Sequence, residues 1–144
     1  VDLEMFTRTF AINVFGVIAV LEAFLPLLRH SDAGRVVNVS STMGSLSDQL
    51  DPTSPYFSTV VPAYQSSKAA LNSITIALSK QLVDTPIKVT SVCPGFVQTD
   101  LTPANRAHAP LTADEAAHIV LTAATLADDA SSGTFIDHNG PVAW

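Results

Sequence analysis

Two short runs rich in β-branched residues, Arg35–Val39 (RVVNV) and residues 87–93 (IKVTSVC), each follow a long stretch with helical apolar spacing. This alternation most limits what the chain can become. β-Branched side chains suit a pleated, half-buried surface and lose rotamer freedom in a helix. Ahead of the first run, Leu3, Phe6, Phe10, Val14, Val17, Leu21, Phe24 and Leu28 recur every three or four residues, which predicts one long helix over residues 2–29. Asp2 and Glu4 at its start and Arg29 and His30 at its end match the helix dipole. Ile12, Phe15, Ile18 and Leu25 fall off the main stripe, so burial on two faces is expected. Pro62 opens a second helix, residues 62–83, with Ala63, Ala70, Leu71, Ile74, Leu78 and Leu82 on its apolar side. A third, residues 112–127, begins with Thr112 and Glu115 at capping-box spacing. Residues 133–136 read as a last short strand before an irregular tail. Residues 40–62 read as a long loop, of a length that is usually either a functional lid or disordered.

Strands alternating with helices imply an α/β fold with a parallel sheet and right-handed crossovers. Three strands are too few for a doubly wound sheet covered on both faces. The chain is therefore expected to be a single domain over residues 1–144 that forms the C-terminal part of such a sheet, with the N-terminal βαβ units absent. Its opening at Val1, directly into helical pattern, reads as a cut edge. Composition agrees: 47% of residues are hydrophobic and 14% charged, where about a quarter charged is usual. The surplus apolar surface is expected to meet other protein.

The net charge of −6 offers no basic footprint, so neither nucleic acid nor an anionic membrane is an expected partner. No unbroken apolar run of about 18 residues is evident, so no bilayer crossing is expected. With no leader pattern and one cysteine, Cys93, a cytoplasmic location is expected. His30, His108, His118 and His138 have no metal-like spacing, and no metal site is expected. Asp128 and Asp129 read as a solvated helix end.

The sharpest chemical signal is Tyr64 followed by Lys68. Four residues apart on a helix, they share one face. An ammonium about 4 Å from the phenol oxygen gains roughly 4 kcal/mol with the phenolate at an effective dielectric of about 20. That would lower the tyrosine pKa by roughly three units and make it a usable proton donor near neutrality. An exposed Tyr–Lys contact without chemistry is the alternative for the pair taken alone. Ser40 and Ser41 end the first strand, the end at which open α/β sheets bind ligands. A serine there can hydrogen-bond a substrate oxygen, though loop-opening serines are common. Asn13 is an amide in the middle of an apolar helix, where it is either a satisfied core group or a support for water near Lys68.

Together these residues resemble the short-chain dehydrogenase/reductase family. The resemblance implies a partial Rossmann-like fold and places the family's Asn–Ser–Tyr–Lys set on Asn13, Ser41, Tyr64 and Lys68. Ser41 is preferred to Ser40 because it precedes the x-x-Gly of Gly44. The segment Pro94-Gly95-Phe96-Val97-Gln98-Thr99 resembles the family's nicotinamide-side segment, which implies cofactor contacts at Pro94, Gly95, Val97 and Thr99 as well as Tyr64 and Lys68. Substrate contacts are implied at Ser41, Met43, Tyr64 and Phe96, with Leu46, Leu50, Phe57 and Leu101 as further candidates for an apolar wall. The long 40–62 loop and the ending Asn139-Gly140-Pro141-Val142-Ala143-Trp144 resemble the carbonyl reductase branch. That branch implies reduction of a ketone or aldehyde, with NADP(H) favoured over NAD(H). The Gly-rich phosphate turn and the residue that selects the dinucleotide precede the helix of Asn13 in the family. Activity is therefore expected only together with that N-terminal half. The resemblance also implies a homo-oligomer through the helices at 2–29 and 62–83. The alternative is an inactive fragment that serves as an association module.

Overall fold

A computed structural model describes all residues, Val1–Trp144. The first helical stretch runs unbroken from Leu3 to Leu28, but not uniformly. Its α-helical ends, α1 (Leu3–Phe10) and α2 (Val17–Leu28), flank a π-helical stretch at Ala11–Gly16. Asp2 caps α1 by accepting from the amides of Glu4 and Met5. The remaining elements are β1 (Arg35–Val39), α3 (Leu46–Leu50), α4 (Pro62–Gln81), β2 (Lys88–Val92), α5 (Pro103–His108), α6 (Ala113–Ala124), β3 (Thr134–Asp137) and β4 (Gly140–Pro141).

The sheet order is β1-β2-β3-β4. The first three strands are parallel, as the sequence led one to expect, and β4 folds back antiparallel on β3. The tail is thus partly a strand, which a two-residue element with Pro141 in it gave no periodic sign of. β1 has no partner on its outer side, and an open strand edge of this kind is a template for pairing.

Val36, Leu78, Leu82, Ile87 and Val89 form the core between sheet and α4, with Leu21, Leu25 and Leu28 of α2 packed against it. A buried polar layer lies beside it. Asn38 of β1 donates to Thr75 Oγ1 at 2.8 Å, and Thr75 Oγ1 meets Ser91 Oγ of β2 at 2.9 Å. Ser40 Oγ donates to Asn72 Oδ1 at 2.6 Å. Buried hydrogen bonds have directions that apolar contacts lack, so this layer fixes how α4 sits along the strands. Gly44 permits the other close approach. A Cβ there would lie 2.7 Å from the Lys68 carbonyl carbon and Cβ, so only glycine lets the Thr42–Gly44 turn lie against α4.

Three expectations are corrected. The helix 2–29 is not buried on two faces: of its residues only Val14 is buried, and Leu3, Ile12, Phe15, Phe24 and Leu27 are exposed. The chain has enough elements to cover one side of it and no more. Leu3–Leu28 is also long and apolar enough to cross a bilayer by length and composition, its most apolar 18-residue stretch having a mean hydropathy of 2.2. An unbroken run is absent because Asn13 and Glu22 interrupt it, while an 18-residue mean absorbs both. The 40–62 stretch is not all loop. It contains the 3-10 turn Thr42–Gly44 and α3, capped where the Asp48 amide donates to Ser45 Oγ at 3.0 Å. Asp128 is solvated as expected, its side chain 76% exposed, but it also has an ion-pair partner. Its carboxylate pairs at 2.6 Å with Arg35, whose guanidinium also donates to the Leu126 carbonyl.

Candidate active site

At the carboxyl ends of the strands lies an open cleft of about 1000 Å³. Asn13, Ser41, Tyr64 and Lys68, drawn from three segments of the chain, all line it, with Pro94, Gly95, Val97, Thr99 and Leu101. Met43 and Phe96 do not line the cleft. Leu46, Leu50 and Phe57 do not either, and they stand exposed. The apolar wall expected from the resemblance is therefore only represented by Leu101.

The two strand-end serines divide their work. Ser40 is 3% exposed and its hydroxyl is committed to Asn72. Ser41 is half-buried and caps the turn after it, accepting from the Met43 amide at 3.2 Å. Its hydroxyl also neighbours the Tyr64 phenol at the cleft.

Tyr64 and Lys68 share a face of α4, and the Lys68 ammonium lies 5.7 Å from the centre of the Tyr64 ring. Lys68 Nζ donates to the Val39 carbonyl at 2.9 Å, at the end of β1. The expected lowering of the tyrosine pKa is not found. Burial holds the Tyr64 phenol above its usual range, with Cys93 and Tyr56 adding to the rise and the neighbouring Ser41 hydroxyl opposing it. Burial also lowers Lys68. The physical reason is one of direction: the ammonium faces the ring and a carbonyl, and loss of water outweighs what it offers the phenol oxygen.

A titration tests this environment. The chain has two tyrosines, and burial raises both Tyr56 and Tyr64. Phenolate absorbance should therefore rise only above about pH 10, the ordinary tyrosine value. The linked stability is intact below that pH and is lost as pH climbs toward the raised folded values. A phenolate signal from Tyr64 near neutrality, absent in Tyr64→Phe, would contradict the geometry.

Asn13 sits in the π-helical stretch, a local form that frequently marks functional sites. Its Nδ2 donates to Ser67 Oγ at 3.0 Å, and Ser67 Oγ donates to the Tyr64 carbonyl at 2.8 Å. The amide is thus a partly satisfied group that ties the first helix to α4 beside Lys68.

Between β2 and α5 the chain turns at Gly95, whose φ of +84° favours glycine. The Gly95, Val97 and Thr99 amides donate to no carbonyl in the chain. A row of free amides beside Tyr64 and Lys68 suits a ligand carrying carboxamide and phosphate oxygens, so the residues fit a nicotinamide dinucleotide. Asn105, which the sequence reading missed, is buried and donates to the Val97 carbonyl at 3.1 Å. It belongs to α5, also missed, although Thr102-Pro103 is a cap followed by a helix-opening proline.

Residues 1–110 match the family model described as short chain dehydrogenase. Salutaridine reductase of Papaver bracteatum is 33% identical over 170 residues, covering 93% of this chain and 52% of the relative. Among solved structures, carbonyl reductase Sniffer of D. melanogaster matches with a TM-score of 0.81 and 30% identity, over 100% of this chain and 59% of that one. NADPH-bound carbonyl reductase from chicken fatty liver matches at 0.79 and 25%, over 100% and 59%. The chain spans about half the length of relatives such as these. On the family match, with relatives above 30% identity behind it, this chain belongs to the short chain dehydrogenase family of oxidoreductases.

Proposed function

We propose that the cleft interconverts a carbonyl and an alcohol with NAD(P) as the redox partner, and that reduction of a ketone or aldehyde with NADP(H) is its favoured use. The observation that carries the reading is the convergence of Asn13, Ser41, Tyr64 and Lys68 on one cleft beside the free amides of Gly95, Val97 and Thr99. The reductase names of the relatives and the NADPH bound to one of them support the direction and the cofactor. A nicotinamide dinucleotide supplies the hydride when bound, and Tyr64, Lys68, Pro94, Gly95, Val97 and Thr99 are the residues of this chain that would hold it.

Tyr64 is the proton donor of this reading. Its raised pKa keeps the phenol protonated at neutral pH, so the proton is present when the substrate oxygen gains charge. Ser41 donates a hydrogen bond to the same oxygen. Lys68 holds positive charge on the Tyr64 side of the cleft, anchored by the Val39 carbonyl. Asn13 keeps α4 and the first helix in register through Ser67. The exposed apolar side of Leu3–Leu28 supports a further reading, self-association through that helix and α4.

The test is an assay of NADPH and NADH oxidation over a panel of ketones and aldehydes. It uses the chain alone and the chain fused in frame to the N-terminal half of a relative. Turnover by the fusion, with NADPH preferred and little or no cofactor binding by the chain alone, is expected. A fusion that binds the dinucleotide yet reduces no carbonyl would overturn the reading in favour of an association module.

A further inference from the structure

The last residues of the chain reach back to the segment that follows Ser41. The Trp144 oxygen accepts two hydrogen bonds from Ser47, one from its amide at 3.1 Å and one from its hydroxyl at 2.8 Å. The Trp144 ring stacks on Phe135 of β3, with centroids 5.4 Å apart. Phe135 is 2% exposed, so the indole covers core. β4 and the Val142 amide, which donates to the Phe135 carbonyl, hold the tail in place. Ser47 stands in the first turn of α3. From the far end of that helix Gln49 Nε2 donates to the Met43 carbonyl at 2.8 Å. Met43 belongs to the turn that Ser41 caps. An unbroken path of contacts therefore joins Trp144 to α3, to the Thr42–Gly44 turn and to the Ser41 hydroxyl in the cleft. Ser54 Oγ donates to Asp48 Oδ2 at 2.9 Å, which ties the stretch after α3, with Tyr56 in it, to the same helix.

We propose that Trp144 is a positioning residue: its stack on Phe135 and its two bonds from Ser47 fix α3, and through α3 they set the Ser41 side of the cleft against which the substrate rests. Five residues of helix cannot hold their own geometry in water, so α3 depends on its neighbours, and the tail is the one at its N-terminal end. The consequence for catalysis rests on the reading of Ser41 as a substrate contact. The consequence for α3 does not.

The experiment separates the two. Hydrogen exchange is measured on the full chain and on Trp144→Ala, Trp144→Phe and Ser47→Ala. Trp144→Ala should speed exchange across residues 42–58 by at least about tenfold while α4 and β2 keep their protection. Trp144→Phe should restore most of it by retaining an aromatic stack, and Ser47→Ala, which keeps the amide bond, should fall between. Unchanged exchange over 42–58, or a uniform rise over the whole chain, would overturn the positioning role whatever the activity. In the fusion protein, Trp144→Ala should lower kcat/KM for ketones about tenfold while KM for NADPH stays within about threefold. An unchanged kcat/KM for ketones, or an equal rise in KM for NADPH, would overturn the link to the substrate side. A fusion inactive before any substitution, with the exchange result intact, would count against the reductase reading alone.

Discussion

Tyr64→Phe should lower carbonyl reduction in the fusion protein by about 10²- to 10⁴-fold, the usual contribution of a positioned proton donor. The substitution removes one oxygen and leaves a ring of the same shape. The phenol oxygen has the Ser41 hydroxyl as its hydrogen-bonding neighbour, so thermal unfolding should shift by no more than the loss of one such contact, about 1 kcal/mol. Cofactor binding should persist, because the Gly95, Val97 and Thr99 amides are untouched. The loss should fall on kcat more than on KM, since the proton is needed only as charge develops on the substrate oxygen. Stopped-flow measurement of NADPH oxidation with saturating ketone checks this. A Phe variant within threefold of the parent would remove Tyr64 from the chemistry.

Leu71→Ala should cost about 2–5 kcal/mol of stability, the range for emptying a fully buried leucine site. Leu71 is 1% exposed. It lies three residues beyond Lys68 and seven beyond Tyr64 on α4, on the same side of the helix. Only 26 of 144 residues are buried, so the margin is expected at the low end of the roughly 5–15 kcal/mol typical of domains. The substitution should bring the urea midpoint close to zero, and whatever remains folded should lose the alignment of Tyr64 with Ser41. Leu71→Met, close in volume, should cost less than about 1.5 kcal/mol. Equal midpoints for Leu71→Ala and the parent would show that α4 is not held by this contact.

Much of the architecture was written in local pattern. The β-branched runs gave β1 and β2 nearly to the residue, Pro62 opened α4, and Thr112 with Glu115 capped α6. Those features are decided by neighbours a few positions away, through backbone sterics, rotamer freedom and orphan amides. The order of Asn13, Ser41, Tyr64 and Lys68 along the chain was legible for the same reason: residue types at fixed spacing, matched to a family. α3 and α5 were legible in principle, through the Ser45 and Thr102 caps, but five- and six-residue helices carry too little periodicity to stand out.

Burial, direction and closure belong to the tertiary structure. The sequence shows that Tyr64 and Lys68 share a helix face. It does not show that the ammonium turns to the Val39 carbonyl, so the sign of the Tyr64 shift was set by burial rather than by the neighbouring charge. Which serine is spent on Asn72 and which faces the cleft depends on a helix 32 residues away in sequence. The exposed side of Leu3–Leu28 and the bare edge of β1 follow from which partners the fold supplies, and an apolar stripe alone cannot say whether it is covered. Local spacing determines what each segment can be. Contacts between segments far apart in the chain decide which of its side chains meet water, a partner or a substrate, because desolvation depends on everything that surrounds a group and not on its neighbours in sequence.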